Sequence, residues 1–284
     1  MEQVDYLKGL KNLPINPAIS SKVLEMIEKQ DFSFKHLETL ISADPGLTTK
    51  ILRIANSALY ARQNKITKLQ TAISLLGLNT IKNLVILVTG TSLFKQHTGS
   101  WFYHLFWQHS LDTAFIAKDM AGNCGLPDQS EELFIAGLLH NVGQIPLYLH
   151  KPEAYDSIVK MVIQEGRRFS ELEQNIYGTN HRDLGGLLLS QWNFPALFCD
   201  CAREHGNINI TSSWKKQILI VSNASFIASN WSYFEKNPKD YQLLEAQLKQ
   251  LGRDVASIRT YEGEYRSILA RDSFYKECIQ LVKE

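Results

Sequence analysis

Four of the chain's eight histidines lie in or at the ends of separate predicted helices, and imidazole is the side chain best suited to proton transfer and metal binding near neutral pH. They are His109, His140, His181 and His205. Histidines from separate helices can meet inside a helical bundle, where metal sites are often built. No two of them share a helical turn, so an ordinary hydrogen-bonded, partly buried histidine is the alternative for each.

Short sequence blocks around these histidines resemble a known family. His109, GLLHNVGQ at 137–144, NHRDLGGLLLSQW at 180–192 and His205 follow the order of the HD superfamily of metal-dependent phosphohydrolases. The N-terminal third resembles the HDOD subgroup, a bacterial group of signalling proteins, in three blocks: LPINPAISSKVLEMI, ISADPGLTTKILRIANSALY and KITKLQTAISLLGLNTIKNLVI. Several blocks in one order are more specific than a single motif.

The chain departs from the hydrolase pattern at the positions that carry charge. The resemblance implies an aspartate after His140, a lysine shortly after it, a second histidine after His205 and a late aspartate within ILIVSNASFIAS. The residues at those four positions are Asn141, Gln144, Gly206 and Ser225. Four imidazoles remain, whereas both carboxylates are missing.

The missing carboxylates argue against a two-metal hydrolase. In such a site anionic ligands offset the charge of the ions, and a metal-bound water loses a proton before it attacks phosphorus. An asparagine carbonyl can touch a metal but brings neither charge nor basicity. We therefore expect no bound cofactor. The alternative is a single zinc or nickel ion at a site built from His109, His140, Asn141, His181 and His205.

The expected function combines the resemblance with the missing carboxylates. We expect a non-catalytic signal-transduction module with a degenerate HD site, acting through binding of a protein or a small ligand. The alternative is a metal-dependent phosphohydrolase with an unusual histidine-rich site, acting on a nucleotide or another phosphoester. Expected partners are proteins of a signalling pathway, and a homodimer is an open alternative.

Composition and charge limit the classes of partner. Lysine and arginine total 30 and aspartate and glutamate 29, so the formal net charge of +1 provides no long-range field to attract nucleic acid. The most apolar stretch, at 84–94, is shorter than the roughly 20 residues that span a bilayer. The four cysteines form no CxxC pair, and MEQVDYLKGLKNL lacks the apolar core of a signal peptide. We expect a cytoplasmic protein without nucleic-acid or membrane partners.

Helices must position these side chains, because apolar residues recur at helical spacing and strand-like alternation is never sustained. The pattern predicts an all-α protein with an N-terminal cluster of about five short helices packed on an HD-like helical bundle. The predicted boundaries are 1–98 for the cluster, 99–206 for the bundle and 207–284 for a C-terminal helical extension, with one continuous domain as the alternative. Predicted helix starts are Asn16 with Pro17, Asp44 with Pro45, a Thr67–Gln70 capping box, and Asn79.

Two further features lie outside the histidine set. Asn56 and Ser57 are polar residues inside the apolar run ILRIANSALY, within the blocks that carry the resemblance. Hydrogen bonds within the helical cluster are the first interpretation, and a binding site is the second. Gly185 and Gly186 predict close helix packing, since no strand precedes them as a phosphate loop would need.

Overall fold

The computed structural model of the chain describes residues 6, 17–28, 33–57, 59–60, 65–93, 95–229 and 238–283. Within those residues all regular secondary structure is helical, which confirms the all-α prediction. The predicted domain boundaries stay a prediction, because the helices pack on one another across them.

Five helices form the N-terminal part of the described chain. They are α1 (Pro17–Glu28), α2 (Phe34–Ser42), α3 (Pro45–Ala55), α4 (Leu69–Leu76) and α5 (Leu78–Ser92). Each apolar stripe faces inward, and Leu37 of α2, Ile51 of α3 and Ile73 of α4 are fully buried. Helix α5 packs on α1, α3 and α4, so it forms the centre of this cluster.

The start of α3 confirms one sequence prediction. Asp44 precedes the helix in extended conformation, and its Oδ1 accepts a hydrogen bond from the Leu47 N–H at 3.0 Å. Pro45 occupies the first helical position, where its missing N–H leaves no intrahelical bond unmade. The Asn16 prediction lies outside the described residues.

Two other predicted helix starts are wrong. The Thr67–Gln70 capping box does not form, because the residue before α4 is Lys68 and it makes no side-chain cap. Asn79 does not cap α5, since that helix already begins at Leu78. Gly77 both ends α4 and precedes α5, with φ at +79°, a conformation that glycine adopts without steric cost. Gly77 alone thus forms the turn between the two helices. Because glycine has no side chain, α5 has no side-chain cap at its start.

Seven α-helices follow in the central part that the structure describes, with a short 3-10 helix (Pro127–Gln129) before the second of them. They are α6 (Trp101–Asn123), α7 (Ser130–Leu139), α8 (Gln144–His150), α9 (Pro152–Glu165), α10 (Phe169–Tyr177), α11 (His181–Gln191) and α12 (Ala196–Glu204). Helices α6 and α7 form the most extensive pair. A Cβ at Gly137 would lie 2.8 Å from Ala114 Cα, so glycine permits their close approach.

The C-terminal helices lie along this central part. They are α13 (Lys215–Ala228), α14 (Pro238–Gln250), α15 (Val255–Leu269) and α16 (Ser273–Lys283). Helix α13 packs on α6, α7 and α12, and α16 packs on both α5 and α6. The Tyr103 hydroxyl donates to the carbonyl of Val282 at 3.0 Å, and that of Tyr265 donates to the carbonyl of Phe115 at 2.6 Å. These bonds attach the extension to α6.

Polar contacts join the N-terminal cluster to α7. Lys82 is buried in α5 and forms an ion pair with Glu132 at 3.1 Å. The neighbouring Asn83 donates to Glu131 at 2.8 Å. The two helical groups are therefore held together by specific polar bonds as well as by apolar packing.

No single helix in the described ranges is long and apolar enough to cross a bilayer. Helices α4 and α5 reach that length and apolarity only when joined, across a bend of 112°.

Candidate functional site

The structure brings all four predicted histidines into one cluster between α6, α7, α11 and α12. Ring centroids are 5.3 Å apart for His109 and His140, 4.9 Å for His140 and His205, and 5.4 Å for His181 and His205. His140, His181 and His205 are buried, and His109 is partly buried. We name these four residues the histidine cluster.

Helix ends place three of these histidines. His140 is the C-terminal cap of α7, His181 is the first residue of α11, and His205 is the C-terminal cap of α12. His109 instead projects from the middle of the long helix α6. Four helices cannot all pack side by side around one point along their full length. Side chains at helix ends avoid this limit, so histidines from several helices can meet here.

A glycine contact sets the distance between the turn after His140 and the start of α11. A Cβ at Gly143 would lie 2.0 Å from the His181 carbonyl oxygen and 2.5 Å from the Gly185 nitrogen. Gly185 in turn approaches the Gly143 backbone nitrogen, and a Cβ there would lie 3.3 Å from it. The predicted close packing at Gly185 is therefore present, and it holds the first turn of α11 against the turn after His140.

The Nδ1 atom of each fully enclosed histidine faces a hydrogen-bond acceptor. His140 Nδ1 lies 2.7 Å from the Gly137 carbonyl, and His205 Nδ1 lies 2.9 Å from the Ala202 carbonyl. His181 Nδ1 lies 2.6 Å from Oε2 of Glu173. Since carbonyl and carboxylate oxygens only accept, Nδ1 must carry the proton in all three rings. Each neutral ring then presents an Nε2 lone pair.

The Nε2 atoms of His181 and His205 face each other. His181 Nε2 and His205 Nε2 lie 3.4 Å apart, and His140 Nε2 is buried without a hydrogen-bond partner among the described residues. Two facing lone pairs at this distance repel each other unless a cation lies between them. Either a proton on the His181 ring, donated toward His205, or a metal ion meets that requirement.

Glu173 is the residue that sequence reasoning missed. Its carboxylate is fully buried and accepts hydrogen bonds from the His181 ring, from the His181 backbone N–H at 2.8 Å and from the Tyr155 hydroxyl. Burial raises the pKa of this carboxyl, but the charge and hydrogen bonds of His181 and the bond from Tyr155 outweigh burial, so its pKa lies below the ordinary value. One signal was available: Glu173 shares the buried face of α10 with Tyr177, four residues later.

Burial also determines the charge of the other cluster histidines. It lowers the pKa of His140 and His205 well below the ordinary value, because a charged imidazole in a closed interior loses its hydration. Neighbouring cluster imidazoles lower both values further. Burial and the charge of His181 lower the pKa of His109 to about 4. These three rings are neutral at pH 7.

The residues that replace charged groups of the hydrolase pattern lie in or next to the histidine cluster. Ser225 Oγ lies 3.1 Å from His109 Nε2, so the residue that stands at the late aspartate position reaches the cluster. Asn141 and Gln144 are buried in the turn after His140, where the Asn141 carbonyl accepts from the Gln144 backbone N–H at 2.9 Å. Among the described residues, Glu173 is the carboxylate that bonds to a cluster histidine, and it does so on the Nδ1 side of His181.

This donor set does not fit the two-ion centre that the resemblance implies. In the part of the chain that the structure describes, no three His, Cys, Asp or Glu side chains are arranged to hold a metal ion together. His181 and His205 alone match a single ion, because two nitrogens 2.0–2.1 Å from tetrahedral zinc lie about 3.4 Å apart. The geometry therefore provides two ligands for one ion and none of the carboxylates that a second ion needs.

Asn56 makes three hydrogen bonds inside the N-terminal cluster. Its amide donates to the carbonyls of Leu52 and Ile66, at 2.7 and 2.8 Å, and accepts from the Ile66 N–H at 2.8 Å. It thus fastens the segment before α4 to the end of α3. Ser57 Oγ is buried without a hydrogen-bond partner among the described residues. Binding at Asn56 and Ser57 stays a prediction.

Comparison with known proteins identifies the family of this chain and other proteins that share its fold. The model of the HDOD domain matches residues 13–208. An uncharacterised protein from Treponema pallidum is 27% identical over 195 residues, a match covering 68% of this chain and 38% of that protein, so the chain spans well under half of that relative.

Three solved structures share the fold along most of the chain. An HDOD domain protein of unknown function from Geobacter sulfurreducens has a TM-score of 0.71 at 23% identity, covering 99% of this chain and 96% of that one. A phosphohydrolase candidate from Shewanella amazonensis has a TM-score of 0.66 at 20% identity, covering 98% and 97%. A candidate signal transduction protein from Marinobacter aquaeolei has a TM-score of 0.66 at 19% identity, covering 90% and 60%. At these identities the likeness concerns the fold alone.

Proposed function

Since the chain belongs to the HDOD domain family, we propose that it is a non-catalytic regulatory module in which the histidine cluster is a structural remnant of a hydrolase site. One observation carries this proposal. Asn141 and Ser225 stand at the two carboxylate positions, and the carboxylate bonded to the cluster, Glu173, lies behind His181.

The physical reason is charge. Hydrolysis of a phosphoester by two metals needs anions that face the ions and a base that accepts a proton from water. Glu173 already accepts from His181 and Tyr155, so its oxygens are engaged on the far side of the imidazole. Three neutral rings and an amide cannot offset the charge of two divalent ions.

The module acts through binding, and proteins of a signalling pathway are the partners that we propose. The family match and the fold shared with a candidate signal transduction protein support this class. A small regulatory ligand is the second class of partner. The even charge of the chain supports neither nucleic acid nor an anionic surface.

A phosphoesterase screen tests the catalytic half of the proposal. Purified protein is incubated with bis-p-nitrophenyl phosphate, p-nitrophenyl phosphate and a nucleotide panel, each with Mg²⁺, Mn²⁺, Zn²⁺ or Ni²⁺. We expect product to form no faster than with the matched His140→Ala variant. Turnover that is lost in His140→Ala but kept in the exposed-histidine control His104→Ala would overturn the proposal.

The second candidate is a metal-dependent phosphohydrolase with a single ion. The 3.4 Å separation of His181 Nε2 and His205 Nε2 favours it, because this is the spacing of two ligands of one zinc ion. That ion would acidify a bound water. The same screen separates the candidates, since only the second requires turnover that depends on His140 and on added metal.

A further inference from the structure

Helix α14 in the C-terminal extension buries an unusual set of residues. Leu244 and Leu248 are fully buried, as expected for the apolar stripe of a packed helix. Asp240 and Gln247 are buried as well, at 4% and 0% exposure. A short helix that buries as many polar as apolar side chains depends on specific polar partners for its position.

The first of these partners leads to His181. The Asp240 carboxylate forms an ion pair with the Arg168 guanidinium. Arg168 is the N-terminal cap residue of α10, directly before Phe169. The Phe169 ring meets the His181 ring edge-on, at 6.5 Å between centroids. The start of α14 is therefore attached to the segment that covers one side of the histidine cluster.

The second partner leads to His205. Gln247 Nε2 donates to the Asn207 carbonyl at 2.6 Å, while Asn207 Oδ1 accepts from Arg182 Nη1 at 2.6 Å. The same Arg182 nitrogen donates to the His205 carbonyl at 3.1 Å. The end of α14 is thus linked through two residues to a second cluster histidine, and α14 bridges both sides of the cluster.

These attachments provide less stability than an apolar contact of the same size. Gln247 Oε1 is buried and accepts no hydrogen bond from the described residues, which carries the full desolvation penalty of a carbonyl. Asp240 loses nearly all its hydration in exchange for its ion pair, and such exchanges bring little net stability. Helix α14 packs on its C-terminal neighbours α13 and α15, whereas α16 packs on α5 and α6.

We propose that α14 is a detachable strap over the histidine cluster, closed by Asp240–Arg168 and Gln247–Asn207. Its release uncovers the Arg168 and Arg182 guanidinium groups and the edges of His181 and His205. The inference rests on the proposed function only in taking the cluster as the regulated site. A partner that binds the released α14 would thereby change the exposure of the histidine cluster. A ligand at the cluster would in turn change how readily α14 is released.

The test measures access to the cluster imidazoles in the full chain. Diethyl pyrocarbonate modifies neutral, accessible histidine nitrogens, and peptide mass spectrometry gives a rate for each histidine. In an Asp240→Asn/Gln247→Ala variant we expect His181 and His205 to react about ten-fold faster than in the wild type, because each substitution leaves a buried partner without its charge or hydrogen bond in the closed state. The exposed His104 serves as the internal reference and its rate stays unchanged.

A matched variant lies on the same helix. Glu245→Ala/Lys249→Ala removes an exposed ion pair of α14 that touches neither Arg168 nor Asn207, and we expect wild-type rates from it. Equal rates for His181 and His205 in the strap variant and this control would contradict the proposal.

Hydrogen exchange separates release of the strap from general unfolding. In the strap variant, faster exchange should be confined to 238–250 and the segments that it covers. Faster exchange throughout α6 and α7 would instead show that α14 belongs to the cooperative core, and the proposal would fail. Neither measurement depends on catalysis or on a partner. The phosphoesterase screen can therefore refute the proposed function while the strap proposal holds, and these two measurements can refute the strap proposal while the proposed function holds.

Discussion

The Glu173 carboxylate accepts two hydrogen bonds from His181, one from the ring Nδ1 at 2.6 Å and one from the backbone N–H at 2.8 Å. This pair holds the first turn of α11 on α10 and sets the tautomer of the ring that faces His205. The Glu173 carboxylate thus orients the His181 ring. It lies on the Nδ1 side of that ring, away from the Nε2 atoms that face each other.

The Glu173→Gln variant should lower the free energy of unfolding by about 3 kcal/mol, because it removes the charge of a buried acceptor that holds three hydrogen bonds. Urea unfolding followed by circular dichroism measures the change. Glu171→Gln, two residues earlier on an exposed position of the same helix, is the matched control and should change stability by at most about 0.5 kcal/mol. Equal effects of the two variants would show that Glu173 is not a buried anion.

The Gly143→Ala variant should destabilise the fold by about 3 kcal/mol or more, because the added Cβ would collide with backbone atoms that cannot move independently. Gly122→Ala is the control: a Cβ there meets nothing within 4 Å, and alanine favours the helix by about 0.5–1 kcal/mol. Thermal unfolding of both variants checks the prediction. A melting temperature for Gly143→Ala equal to that of the wild type would contradict the close contact between the turn and α11.

Stability should fall as the pH is lowered from about 6.5 toward 4. His140, His205 and His109 have lowered pKa values in the folded protein, so the unfolded chain binds more protons than the folded chain in this range. Each such histidine contributes about 1.4 kcal/mol per pH unit, present above pH 6.5 and lost below it. Urea unfolding at pH 7.5, 6.0 and 5.0 measures the slope.

Variants assign that slope to the cluster. His140→Gln should reduce it by up to one histidine's share, whereas His104→Gln, at an exposed position, should leave it unchanged. An identical slope in both variants and in the wild type would mean that His140 is not buried in its neutral form.

Restoring the two missing carboxylates should restore metal affinity. An Asn141→Asp/Ser225→Asp variant supplies anionic oxygen ligands beside the imidazoles, and we expect it to bind Mn²⁺ at least about ten-fold more tightly than the wild type. Isothermal titration calorimetry measures the difference, with Asn141→Ala/Ser225→Ala as the control for the substitutions themselves. Stoichiometric Mn²⁺ binding by the wild type with the affinity of the aspartate variant would refute the argument from charge.

Asn56→Ala tests whether that residue supports the fold. It removes two donated bonds and one accepted bond and leaves the Ile66 N–H without its partner, so we expect a loss of about 2–3 kcal/mol in unfolding free energy. Asn79→Ala, at the position wrongly predicted to cap α5, should change stability by less than about 0.5 kcal/mol. A wild-type unfolding free energy for Asn56→Ala would leave the binding interpretation as the better one.

The sequence alone determined the features that depend on neighbours along the chain. Helical periodicity identified the fold class, and the pairing of Asp44 with Pro45 located the start of α3. The resemblance placed Ser225 at the late aspartate position, and the structure puts it beside His109. The sequence was misleading at Asn79, which does not cap α5, because the single glycine Gly77, with positive φ, both ends α4 and precedes α5.

Only the tertiary structure decided which groups meet. Three such contacts join residues on different helices: the approach of the His181 and His205 Nε2 atoms, the placement of Glu173 behind His181, and the bridge from α14 to Arg168. The pattern of a single helix specifies which face is buried and contains no information on what covers that face. The tautomers and pKa values of the cluster follow from these long-range contacts, because burial and hydrogen-bond partners are properties of the packed molecule.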